Sequence, residues 1–156
     1  MLSLLSQCLP LLAALSLGLL AGALLAEDQL LVPYWRTLPA DTFYALHPTF
    51  GPMLYRFYTP LTAAAPAAAV LAMLQALVFG GPFGLRAALA VAAAVLALSL
   101  LVIYAVFFRA ANDAFARHAV PAADLPEAVT RWATWHRARV YVVILAFAMS
   151  LGALAA

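Results

Sequence analysis

The stretch of this 156-residue chain with the most chemical potential is Arg131-Trp132-Ala133-Thr134-Trp135-His136-Arg137-Ala138-Arg139. Trp132, His136 and Arg139 recur at i, i+4 and i+7, so a helix through them presents an indole, an imidazole and a guanidinium on one face. An imidazole can take up a proton near neutral pH, and a guanidinium can hold the anion that results. The same spacing also suits an interfacial belt, because Trp and Arg favour the headgroup level at helix ends.

Other candidates lie earlier in the chain. Glu27, Asp28, Asp41 and His47 fall on the same side of the membrane as His136 in the topology derived below. A carboxylate and two imidazoles, Glu27, His47 and His136, could bind a metal, and a His47/His136 pair in a helical bundle would suit haem. Their spacings match no compact ligand motif, so only convergence in the fold could make such a site, and a protein with no cofactor stands equally open. Otherwise Glu27 and Asp28 simply end the first crossing. A charge held inside the bilayer costs roughly 2.5 to 3.5 kcal/mol, so burial of Glu27 would itself mark a functional position.

Several polar residues have structural readings. His118, in Arg117-His118-Ala119-Val120-Pro121, suits a helix C-terminus, where a cation relieves the dipole. Arg109 and Asp113 read as an exposed pair, Gln75 and Ser99 as helix–helix hydrogen bonds, and Cys8 as a small packing residue. No Gly-rich phosphate loop, Ser/His/Asp order or Cys-based zinc spacing is present, which leaves nucleotide hydrolysis, serine hydrolase chemistry and zinc-finger roles without support.

The elements that must position these residues follow from composition. The chain is 68% apolar and 9% charged, with a mean hydropathy of +1.04, too apolar for a soluble domain. The expected fold is all-α: a single-domain integral membrane four-helix bundle whose helices extend beyond the bilayer at one end. Crossings fall near 5–26, 61–80, 87–108 and 138–156. The first has no preceding Lys or Arg and is longer than a signal core, so it reads as a retained crossing. Gly80-Gly81-Pro82-Phe83-Gly84 makes the second and third an antiparallel hairpin.

The long connections, Glu27 to about Tyr58 and Arg109 to Arg139, carry helical structure of their own. Pro39-Ala40-Asp41 looks like a helix start, Pro48, Pro52, Pro60 and Pro66 predict kinks, and Asp124 with Glu127 resembles a capping box. Seven of the eight Arg lie in these connections and only Arg86 lies at the other end, which places the connections in the cytoplasm. The basicity therefore reports topology and not nucleic-acid binding. Alanine-rich faces on the second and third helices allow close packing and self-association, and a Lys-free, Ala- and Arg-rich chain suits a bacterial inner membrane.

An Asn closing the third helix, Asn112, followed by W-x-x-x-H-x-x-R opening the fourth, Trp132, His136 and Arg139, resembles the anthrone oxygenase-like family, also catalogued as a domain of unknown function, DUF1772. The similarity in size and four-helix pattern extends over the whole chain, and the motif covers about its last third. The resemblance implies a membrane oxygenase or oxidase acting on a hydrophobic aromatic or quinone-like molecule, in which an anthrone carbon becomes a quinone carbonyl. His136 would be the base, Arg139 and Asn112 the enolate partners, and Trp132, Tyr44 or Trp35 the surfaces on which a flat substrate stacks. A non-enzymatic accessory protein, its Arg and His serving only as anchors, is the competing expectation.

Overall fold

Long apolar stretches with no water to satisfy their backbone must close their hydrogen bonds within themselves, and in this chain they do so as helices. The structure, a computed structural model, describes residues 2–156, with side chains from Gln7 onward. Helix α1 is Leu2–Ala26, and after a π-helical turn at Glu27–Leu31 the chain continues as α2, Val32–Trp35. Helix α3 is Ala40–Phe79 and α4 is Leu85–Ile103. A second π-helical turn, Tyr104–Phe108, joins α4 to α5, Arg109–Ala116, and α6 is Leu125–Ala155. Four continuous helical rods result, Gln7–Trp35, Ala40–Phe79, Leu85–Ala116 and Leu125–Ala155, each long and apolar enough to cross a membrane. The protein is an all-α integral membrane four-helix bundle.

The 40 residues of α3 would span about 60 Å at 1.5 Å per residue, against a hydrocarbon core of about 30 Å. Its C-terminal end meets the tight hairpin, so the surplus projects at its N-terminal end. What reads as a long first connection in the sequence is thus mostly helix, and only residues 36–39 break it. Pro48, Pro52, Pro60 and Pro66 all lie inside the continuous α3. Each removes one ladder donor, a loss that neighbouring helices and local adjustments offset within a membrane bundle.

The helices form a ring in which α1 and α4 each pack on both α3 and α6. Leu17, Leu20, Leu24, Ala65, Ala69, Ala94, Ala97, Val143 and Ala146 fill its centre. Small side chains let the rods approach closely, which is where dispersion replaces the missing hydrophobic drive between helices. A Cβ added at Gly18 would lie 3.0 Å from the Phe147 ring, so α1 and α6 are already in contact there. In the hairpin Gly81 takes φ +80°, a left-handed conformation that glycine adopts without strain.

Two local expectations are corrected. Asp124 sits at the N-cap of α6 but makes no side-chain cap bond, so the helix start rests on the Pro126 position and on packing of Leu125. Asp113 pairs with Arg117 in the following turn, and not with Arg109.

Candidate functional site

The site is built at the α6 entry end, where all four rods contribute. The second π-helical turn supplies Phe108, the first supplies Glu27 and Asp28, α3 supplies Tyr58, and α6 supplies Trp132, His136 and Arg139. A π-helical turn interrupts the i, i+4 ladder and is a frequent device at functional sites. Just before the first one, the carbonyl oxygen of Leu24 accepts a hydrogen bond from Nε2 of His136 at 3.0 Å. Because a carbonyl can only accept, Nε2 carries the hydrogen, and Nδ1 of the neutral ring keeps its lone pair.

Burial here is complete enough to be costly without function. His136 is 0% exposed, Asp28 2%, Glu27 6% and Arg139 8%. Oε2 of Glu27 lies 3.9 Å from Nε2 of His136, and Glu27 is also within the field of Arg139 and in contact with Tyr58. Tyr58 itself donates to the Ala23 carbonyl at 3.0 Å. Asp28 accepts from Gln29 at 2.7 Å and from the half-exposed Arg137 at 3.4 Å, which connects the buried cluster to the surface. Glu27 and Asp28 are therefore more than charges that end a crossing.

Aromatic rings enclose the polar groups. Trp132 stacks on His136 with centroids 4.9 Å apart and planes 9° from parallel. Phe108 meets Trp132 edge-on at 5.3 Å, and the Arg139 guanidinium lies over the Phe108 ring at 4.4 Å, a cation–π contact. Trp35 packs edge-on against Trp132 at 5.7 Å. Asn112 accepts a hydrogen bond from the Trp132 indole N–H at 2.8 Å, so its carbonyl oxygen holds the stacking ring in place. Nδ1 of His136, Nε of Arg139 and Oδ1 of Asp28 are buried and find no partner among the described residues.

The structure thus brings together Glu27, Asn112, Trp132, His136, Arg139 and Trp35. Tyr44 stands apart, donating to the Val120 carbonyl at 2.7 Å and stacking on His118 at 4.4 Å. His47 packs against Phe43 and Phe115 at ring distances of 5.0 and 6.0 Å. The three-residue metal set of Glu27, His47 and His136 is not assembled, because α3 directs His47 into this outer aromatic cluster. No group of three His, Cys, Asp or Glu side chains among the described residues is placed to hold a metal ion.

Phe108 and Tyr58 are the site residues that sequence reasoning missed. Phe108 sits in an apolar run without distinguishing spacing. Tyr58 is one of several aromatic residues on α3, and nothing local separates it from its exposed neighbours Tyr55 and Phe57.

Comparison of the chain with family models, with curated proteins and with solved structures finds no match.

Proposed function

We propose that the chain is a membrane oxidoreductase of oxygenase or oxidase type, acting on a hydrophobic aromatic or quinone-like molecule, as its resemblance to the anthrone oxygenase-like proteins implies. The observation that supports this reading is the pair of unpartnered buried atoms, Nδ1 of His136 and Nε of Arg139, about one helical turn apart on α6. A ring nitrogen with no proton donor beside it and a guanidinium N–H with no acceptor match an acidic phenol or methylene and its enolate.

In this reading His136 takes the proton and Arg139 holds the enolate. Dioxygen is the oxidant: one of its atoms becomes the new ketone oxygen, and the other leaves as water with the two methylene hydrogens. Trp132 covers the imidazole, so a flat substrate must displace or slide beside it. Asn112 acts as the latch on that ring, a positioning role. The substrate enters from the bilayer, and the polar end faces the cytoplasm of a bacterial inner membrane.

The test is oxygen uptake by the purified protein in mild detergent with anthrone as the probe, beside an ultraviolet-visible spectrum and elemental analysis. The expected result is turnover above the protein-free rate, lost by at least about a hundredfold in His136→Gln. Equal turnover in His136→Gln, or none above the protein-free rate, would overturn the reading.

A further inference from the structure

The bundle carries a partly open cavity at the opposite end from His136. It holds about 80 Å³ and is walled by Ala13 of α1, Ala69 and Ala72 of α3, Ala90 and Ala93 of α4, and Ala153 of α6. One water needs roughly 10 to 15 Å³, so several water-sized groups fit. Three polar side chains also line it: Gln75, Ser150 and Arg86.

The charge at this end is unusual in one respect. Arg86 is the only charged side chain there, because all six Asp and Glu residues, Glu27, Asp28, Asp41, Asp113, Asp124 and Glu127, lie in the segments at the other end. No side-chain carboxylate is therefore within reach of its guanidinium. Arg86 is also partly buried against the cavity, although a lone interfacial arginine could extend fully into the headgroup layer. It sits in the first turn of α4, whose N-cap, Gly84, offers no side-chain bond. The positive end of the helix dipole thus adds to the guanidinium.

We propose that this cavity is a binding site for the head of an anionic amphiphile, an oxyanion carried on a hydrocarbon chain. The oxyanion would meet Arg86, Gln75 and Ser150, while the alanine walls and Phe79 accept the first methylenes. A guanidinium presents paired donors to a carboxylate or phosphate, and the apolar walls exclude a freely hydrated ion. The site is independent of the oxygenase reading.

The head can come from a free fatty carboxylate or from the phosphate of a membrane lipid. The test is native mass spectrometry of the full chain in detergent, with laurate and phosphatidylglycerol offered in turn, for the intact protein, Arg86→Gln, Arg86→Lys and Ala93→Phe. Retention of folding is checked by circular dichroism. The expected result is saturable binding of one of the two probes, weakened at least tenfold by Arg86→Gln and by the cavity-filling Ala93→Phe, and largely retained in Arg86→Lys. Binding of laurate alone identifies a free amphiphile, and binding of phosphatidylglycerol identifies a lipid. Binding of neither probe, or binding indifferent to both Arg86→Gln and Ala93→Phe, overturns the proposal.

Discussion

The two ends of this bundle handle polarity in opposite ways. At the α6 entry end, Glu27, Asp28, His136 and Arg139 are packed among aromatic rings. At the hairpin end a single charged side chain, Arg86, borders a cavity walled by alanine. Both ends share the same four rods, so helix count does not decide the difference. Side-chain volume does: large rings from α2, the second π-helical turn and α6 close one end, whereas methyl groups leave the other open. A densely packed cluster of ionisable groups is stable only when its charges offset one another, whereas a lone cationic side chain at an open end leaves room for an anion from outside.

That comparison can be broken most severely at the buried charges. Removing one member of a buried pair leaves the other uncompensated, a loss of about 3 to 5 kcal/mol. Arg139→Gln should therefore lower the thermal unfolding midpoint in detergent sharply. The double variant Glu27→Gln/Arg139→Gln should recover much of that loss. If the two effects simply add, Glu27 and Arg139 are not energetically coupled and the closed end is held by packing alone.

A smaller effect is expected at the aromatic lid. Trp132→Phe keeps a ring over His136 but loses the hydrogen bond to the exposed Asn112, with a net cost of about 0.5 to 1.5 kcal/mol. Asn112→Ala should produce a similar loss, and the double variant little more. Strict additivity, measured by the same unfolding midpoints, would show that the hydrogen bond at 2.8 Å is not what holds the ring.

At the open end, Gly81→Ala forces a side chain onto a backbone at φ +80°, a cost of about 1 to 2 kcal/mol. The hairpin should loosen in hydrogen exchange without any change at Trp132. The smallest effect belongs to the exposed Asp113–Arg117 pair: Arg117→Ala should change stability by at most about 1 kcal/mol. A larger change would mean that the α5 terminus is structurally coupled to the site.

That terminus contains a feature the sequence reading only partly anticipates. His118 has φ +53° and occupies the position after the helix that glycine usually takes. Its N–H bonds to the Phe115 carbonyl at 3.1 Å, and the Ala119 N–H bonds to the Ala114 carbonyl at 2.9 Å, the paired closure of a Schellman motif. His118 does stand at a helix end, where its backbone makes the closure, and its ring stacks on Tyr44, outside the His136 cluster.

What the sequence determines by itself is set by local composition and period. Uncharged runs long enough to cross hydrocarbon, a Gly-Gly-Pro hairpin and the Trp132/His136/Arg139 face each depend on residues close together in the chain, so they are legible without coordinates. The convergence of Glu27 and Leu24 with His136 joins positions more than 100 residues apart. Two π-helical turns also have no compositional signature, because an extra residue in a helix reflects how the rods meet. Hence burial of Glu27, the escape of His47 and Tyr44 to an outer cluster, and the cavity beside Arg86 were decided only by the tertiary structure: packing chooses which side of each rod faces its neighbours, and local periodicity leaves that choice open.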